Sequence, residues 1–462
     1  MKLADIGILG LGTMGAAVAR NFASKKYIVA VYNRTAVKTD EFITAHKEEG
    51  IFVSSHELKK FVQSIKRPRK ILLMVTAGNG TDAAIQDLCK YLEKGDIIID
   101  GGNAHYKDTK KRYEALGTKG IHFIGCGISG GEEGALKGPS MMVGGNKKVW
   151  QTIKPLLTKI AAKDTKKRPC VEYIGESGAG HYVKMVHNGI EYGIMQLISE
   201  AYVLLRDAYH IDAQGIADIF EAINTGNLRS FLLDTAIGVL RKKDELGKGF
   251  LIDNILDKAG QKGTGIWTSV EALERGVPAP TLTDAVYARY LSNMKESRIK
   301  ISKKWKHTRP NVAPSVEDIA NALHHALLGA IISVFIQGYD LIDKASQEEK
   351  WHINPVDVSR IWQNGCIIRM NLLQIFEASF AKEKGAVLIK LLQKTDPDTR
   401  FFVSTCITAG IPIPAFASAL SYIDMLRQGR AGANMIQGLR DSFGAHTYER
   451  TDKKGIFHTD WN

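Results

Sequence analysis

The sequence predicts an α/β Rossmann-like domain with a doubly wound sheet, followed by a large all-α domain and a short tail. Three observations carry that prediction. Gly10, Gly12 and Gly15 form a G-x-G-x-x-G pattern directly between a strand-like run and a helical run. Short apolar strands then alternate with helical segments to about residue 180, which reads as a mostly parallel sheet. Beyond that point long amphipathic helical runs replace the strands. We expect a dinucleotide-binding domain over 1–179, a helical substrate and dimerisation domain over 180–433, and a C-terminal tail over 434–462.

Composition bounds the function. At 462 residues the chain exceeds what one hydrophobic core usually serves, and its 44% hydrophobic and 24% charged content fits a soluble globular protein. No stretch has the length and purity expected of a membrane span. The most apolar run, ALLGAIISVFIQGYDLI, contains Gly and Gln and reads as a buried helix. The start, MKLADIGILGLG, carries no cleavable hydrophobic segment, so a cytoplasmic location is expected. Five cysteines without a CxxC pair suggest reduced thiols, with neither a disulfide framework nor a metal site. The net charge of +13 points to anionic partners. Its basic clusters, DTKKRP and ISKKWKHTR, look like loops, and no nucleic-acid-binding signature is visible, so small phosphorylated ligands explain the charge equally well.

Along the chain, the first strand is DIGILGL, and the glycines that follow it have separate tasks. The first allows a tight turn, the second lets backbone approach a pyrophosphate, and the third lets the next helix pack on the strand. That helix's N-terminus offers free N–H groups to phosphates, so Gly10, Leu11, Gly12, Thr13, Met14 and Gly15 are the candidate phosphate loop. The plainer alternative is a glycine-rich turn with no ligand. The second strand, YIVAVYNRT, ends in Asn33, Arg34 and Thr35 where an NAD binder usually carries a carboxylate. A guanidinium binds a 2′-phosphate bidentately and a carboxylate repels one, so the expected cofactor is NADP. Further strands are expected at KILLMVT, DIIIDGGN and IHFIGCGISG. The loops after the last two, Asp100 to Asn103 and Ser129 to Gly131, lie where such sheets bind ligands.

In the helical half, GAGHYVKMVHNGIEYG, residues 178 to 193, places Lys184, His187, Asn188 and Glu191 at i, i+3, i+4 and i+7 on one face. A second stripe, Val183, Val186, Ile190 and Ile194, is apolar and can face a core. A polar face beside a core face reads either as a solvated surface or as a functional wall. Long buried helices beginning near 182 and 316 leave a duplicated helical unit open. The polar end RDSFGAHTYERTDKKGIFHTDWN is either disordered or docked.

The motifs GLGTMG, DGGN, GISGGEEGALKGPS, GHYVKMVHNGIEYG, AGQKGTGIWT, NGCIIR and RDSFGAHTYE, in this order over nearly the whole chain, resemble the 6-phosphogluconate dehydrogenase family. The resemblance implies oxidative decarboxylation of 6-phospho-D-gluconate to ribulose 5-phosphate and CO2 with NADP. It makes Lys184 the general base and Glu191 the general acid. It assigns the cofactor to Gly10 through Gly15, Asn33 to Thr35, Val75, Thr76, Ala77 and Asn103. Substrate hydroxyls fall to Asn103, His187 and Asn188, and the substrate carboxylate to Ser129, Gly130 and Gly131. The substrate phosphate falls to Tyr192, Lys262, Arg289, Arg440 and His446. The last two are implied to come from the other subunit of a homodimer. Thr76, Val143, Ile223 and Ile266 depart from the family's common pattern, and Thr76 bears on cofactor affinity. Two rival readings are a shorter type of 3-hydroxyacid dehydrogenase, which would lack the phosphate-binding tail, and a catalytically silent interaction protein that binds RNA.

Overall fold

The computed structural model describes residues 2–305, 314–381 and 385–461. Its N-terminal part is an eight-stranded sheet in the order β3-β2-β1-β4-β5-β6-β7-β8. The strands are β1 (Ile6–Leu9), β2 (Ile28–Tyr32), β3 (Ile51–Ser54), β4 (Lys70–Leu73), β5 (Ile97–Asp100), β6 (His122–Ser129), β7 (Ser140–Gly145) and β8 (Val171–Gly175). All neighbours run parallel except β6 and β7. The central strands are apolar runs buried on both faces, as helices on both sides of a parallel sheet require. Strand order reverses between β1 and β4, so the loops leaving those two strands frame the crevice where such sheets bind ligands.

Five of the eight strands match the sequence expectation. Strand β3 was not expected because IFVS forms a half-exposed edge. Strand β7, SMMVGG, ends in glycines that weaken the alternation signal, and β8, VEYIG, is half-buried over Glu172 and Tyr173 and lacks an apolar run.

The helical part is organised around two long helices. Ala179–Asp207 packs on β6, β7 and β8 with its first half and on the helical core throughout, so it joins the two regions. Val316–Glu348 begins at a Ser315–Asp318 capping box and runs through the middle of the helical core. By length and composition this helix does pass the test for a membrane span, contrary to the expectation that no stretch would, because its Gly and Gln barely dilute an uncharged stretch. Most of that stretch is buried inside the protein. The buried Glu271 receives hydrogen bonds from Tyr106 at 3.0 Å and Arg275 at 2.9 Å, tying the segment after β5 to the helical part.

DTKKRP forms a loop, held by Arg168 donating to the buried Asp164 at 2.7 Å. ISKKWKHTR is not wholly a loop: its first four residues close the helix Lys295–Lys304, and residues 306–309 lie outside the described residues. The C-terminal end is ordered and folds on itself, as a helix Ala433–Gly444 followed by a hairpin pairing Tyr448–Glu449 with Ile456–Phe457. The fully buried Asp441 accepts from Thr447 N, Thr459 N, His458 Nδ1 and Trp461 Nε1, all between 2.8 and 3.1 Å.

Candidate active site

The glycine loop after β1 has the geometry its sequence pattern demands. Gly10 has φ +101, and a Cβ there would stand 2.5 Å from the Met74 carbonyl oxygen. A Cβ on Gly15 would collide with the Gly10 carbonyl, so the helix Thr13–Ser24 sits directly on the turn. Around Gly12, by contrast, a Cβ would meet nothing within 4 Å. Space beside Gly12 and a helix N-terminus with no acidic residue in its first turn and no side-chain cap fit a pyrophosphate. The Asn33 carboxamide accepts from Leu11 N at 3.0 Å and donates to Thr35 O at 3.2 Å, fixing the tip of β2 against the loop. Arg34 and Thr35 are exposed there, and Arg34 forms no ion pair with any described residue. Val75, Thr76 and Ala77 leave β4 alongside, with Thr76 exposed. These residues fit an NADP molecule.

Across the sheet's carboxyl edge, the polar face of Ala179–Asp207 is not solvated. Lys184 is 6% exposed, His187 0% and Asn188 7%, while Val183, Val186, Ile190 and Ile194 fill the apolar core beside them. Two adjacent faces of this helix are therefore buried, one in the core and one against β6. Gly127 of β6 makes this possible, because a Cβ there would strike the Lys184 side chain. The Lys184 amine donates to Asn188 Oδ1 at 2.6 Å and lies 3.2 Å from His187 Nδ1. His187 Nε2 lies 3.1 Å from Ser129 Oγ, and Glu191 Oε2 lies 3.9 Å from His187 Nδ1.

The electrostatics follow from burial. Desolvation pulls the Lys184 amine below the usual lysine range, against the opposing pull of Glu191. Desolvation pushes Glu191 up, against Lys184 and Arg289. His187 is driven well below its ordinary value by burial and then by Lys184, so it is a neutral imidazole that relays hydrogen bonds between Lys184 and Ser129.

The Ser129-Gly130-Gly131 loop closes one end of this face. Gly130 at φ +124 takes a backbone conformation that a side chain would strain, and a Cβ there would stand 2.6 Å from the Gly365 carbonyl. Asn103 is exposed on the neighbouring loop after β5. At the other end, Arg289 stacks on Tyr192 with its guanidinium carbon 3.4 Å from the ring centroid and donates to Gly260 O at 3.2 Å. Lys262 is exposed two residues beyond Gly260 and makes no ion pair with a described residue. Of the substituted positions, Ile266 packs beside Tyr192, Ala285 and Val286.

Two expected site residues are not gathered by this chain. Arg440 donates to Gln437 in its own helix at 3.1 Å, and the His446 ring meets Phe443. Neither joins the Lys184 cluster through a hydrogen bond or ion pair among the described residues.

Three neighbours of the cluster carry no role in the sequence reading. Cys366 lies close enough to Lys184 to influence its charge, Ile367 N lies 3.4 Å from Ser129 Oγ, and Trp362 meets the His187 ring edge-on at 5.7 Å between centroids. All belong to the stretch around NGCIIR, whose presence in the sequence is visible but whose partners are more than 170 residues away.

Fold and crevice together define a two-domain dehydrogenase of the nicotinamide-dinucleotide class. Residues 5–175 match the NAD binding domain of 6-phosphogluconate dehydrogenase, and residues 180–461 match the 6-phosphogluconate dehydrogenase C-terminal domain. The chain belongs to the 6-phosphogluconate dehydrogenase family. It is 46% identical over 469 residues to the decarboxylating 6-phosphogluconate dehydrogenase of Lactococcus lactis subsp. lactis, covering 100% of this chain and 99% of the relative. It is 46% identical over 471 residues to the NADP(+)-dependent, decarboxylating 6-phosphogluconate dehydrogenase of Bacillus subtilis, covering 100% of each. The solved Plasmodium falciparum 6-phosphogluconate dehydrogenase, studied with its cofactor NADP+ and its substrate 6-phosphogluconate, superposes with a TM-score of 0.94 at 39% identity, over 99% of this chain and 100% of that one.

Proposed function

We propose that Lys184 is the general base and Glu191 the general acid of the reaction this chain performs, the NADP-dependent oxidative decarboxylation of 6-phospho-D-gluconate to D-ribulose 5-phosphate and CO2. The observation that carries the assignment is one buried helix face bearing an amine shifted down and a carboxyl shifted up, beside the Ser129 loop. Bound NADP+ supplies the hydride acceptor for the substrate's C3. Lys184, neutral when substrate binds, takes the C3 hydroxyl proton as that hydride leaves. The product of this step is a β-keto acid whose carboxylate can depart as CO2. Lys184, now protonated, donates to the ketone oxygen and stabilises the enediol that forms. Glu191, whose pKa burial raises, delivers a proton to C1 of the enediol while Lys184 takes back the C2 hydroxyl proton, giving the ketone of ribulose 5-phosphate. Two helical turns separate the pair, about 10 Å along the axis, which suits a short sugar acid lying between long side chains.

Around this pair, Asn103, His187 and Asn188 hold substrate hydroxyls. Backbone N–H groups of Ser129, Gly130 and Gly131 hold the substrate carboxylate. Tyr192, Lys262 and Arg289 receive the phosphate together with Arg440 and His446 of a second copy in a homodimer. The exposure of Arg440 and His446 within one chain supports that arrangement. So does the exposed apolar face of their helix, Met435, Ile436, Leu439 and Phe443. The cofactor rests on Gly10 to Gly15, Asn33 to Thr35, Val75 to Ala77 and Asn103, with Arg34 against the 2′-phosphate. The functional division falls at 1–179, 180–433 and 434–462, the protein works in the cytoplasm, and neither nucleic acid nor membrane is a partner.

Following NADPH and CO2 together tests the reading: Lys184→Glu and Glu191→Gln should each abolish paired release while NADPH still binds. Normal paired release by either variant removes that residue from its role.

A further inference from the structure

Arg112 has no role among the site residues above, yet its guanidinium holds the loop leaving β4, which frames the cofactor crevice, to the loop leaving β5. It projects from the helix Tyr106–Gly117 and is 7% exposed. Its Nε donates to Asp82 Oδ1 at 2.7 Å and its Nη2 to the Gly78 carbonyl at 3.2 Å. Its Nη1 lies 3.5 Å from Oδ2 of the fully buried Asp100. Gly78 directly follows the Val75–Ala77 segment and caps the helix Asn79–Leu88, in whose first turn Asp82 stands. Asp100 ends β5 and turns the next loop with its other oxygen, which accepts from Gly102 N at 3.0 Å. The two loops also touch, because a Cβ on Gly102 would come 3.3 Å from the Val75 carbonyl.

The network reaches the catalytic helix. Thr109, one turn before Arg112, lies with its hydroxyl 2.7 Å from Nδ1 of the buried His181, and His181 precedes Lys184 by one helical turn. Burial lowers the His181 pKa, against the nearby Asp100 carboxylate, which raises it, and with Arg112, which lowers it. One planar fork thus contacts the cofactor-side loop and the substrate-side loop and, through Asp100 and His181, the helix that carries the base. A buried guanidinium hydrogen-bonded on two sides and ion-paired with a carboxylate on a third fixes geometry in a way that a single ammonium cannot.

We propose that Arg112 is a positioning residue that sets the cofactor-side loop at its working distance from the Asn103 loop and the Lys184 helix. This rests on the proposed function above. The test is Arg112→Lys, which keeps the charge and loses the fork, with Arg112→Ala beside it and Asp82→Asn removing one anchor only. NADPH affinity by fluorescence, KM for each substrate, kcat and the thermal midpoint are measured on purified full-length protein. Arg112→Lys should fold, bind NADPH about tenfold more weakly and lose kcat by a similar factor, as a shift of one hydrogen-bonded loop would produce. Asp82→Asn should lie between it and the unsubstituted protein.

Wild-type NADPH affinity and kcat in Arg112→Lys would overturn the proposal. A lowered thermal midpoint with unchanged catalytic constants per folded molecule would overturn it too, since that is the signature of a purely structural arginine. If Arg112→Ala does not fold, Arg112→Lys and Asp82→Asn still decide. NADPH binding is read without turnover, so an inactive unsubstituted protein would fail the proposed function while leaving the effect of Arg112 on cofactor affinity measurable.

Discussion

The first half of the Ala179–Asp207 helix and the C-terminal tail carry groups assigned to the same substrate, and they present them in opposite ways. On the helix Lys184 and His187 are buried and Glu191 is half-buried, while apolar residues fill the neighbouring stripe. In the tail the apolar residues face outward, with Phe443 76% exposed, and Arg440 and His446 are exposed with them. The contrast separates two physical requirements. Proton transfer needs shifted pKa values, which only burial and close neighbours provide. Holding a phosphate dianion needs full-strength cations, which exposure to water and then the anion itself keep charged. A chain can bury its acid–base groups by itself. Its phosphate clamp is completed, in our reading, by a second copy.

The largest expected effect tests the buried side. Lys184→Ala should lower kcat by about a thousandfold, within the range general base catalysis supplies, while NADPH affinity stays near wild type. Stopped assays with NADPH fluorescence titration measure both.

Next, the tail side is broken with mixed dimers. One subunit carries Lys184→Ala and the other Arg440→Ala. If Arg440 serves the neighbouring site, the hybrid keeps one intact site and about half of normal activity, whereas cis action leaves none.

A smaller effect concerns Arg34, exposed like the tail cations. Arg34→Asp should raise KM for NADP selectively and favour NAD, and an unchanged ratio would place 2′-phosphate recognition elsewhere.

The smallest effect sharpens the burial argument further along the same helix. Glu200 is 2% exposed and accepts from the N–H groups of Ala415 and Phe416 at 2.9 and 3.0 Å, yet burial pushes its pKa up to about 7 from the ordinary 4.5. A carboxyl raised in the folded state is charged at a cost, so its contribution is most favourable below 4.5, declines as pH rises to about 7 and then levels off. Glu200→Gln should flatten the fall in urea midpoint between those pH values relative to wild type. Parallel slopes would contradict the raised pKa.

What the sequence made legible follows the reach of each signal. GLGTMG is local, and its turn, its open glycine and its helix all lie between Gly10 and Ser24. The Lys184 face was legible because helical periodicity aligns residues one turn apart. Its burial was not, since that depends on Gly127 and the stretch around Cys366, distant in sequence. The half-exposed or glycine-ended strands β3, β7 and β8 lack a clear apolar run, and the tail's order comes from Asp441, one carboxylate that gathers four donors from within the tail. The long apolar helix Val316–Glu348 shows the converse limit, because composition alone does not distinguish a core helix from a span.

The most direct measurement of the central claim is the initial rate of NADPH formation from NADP+ and 6-phosphogluconate, with CO2 release followed in parallel, for the unsubstituted protein and Lys184→Ala. The account predicts equal amounts of NADPH and CO2 from the unsubstituted protein and almost none from Lys184→Ala at saturating cofactor and substrate. Near-normal NADPH formation by Lys184→Ala would contradict it.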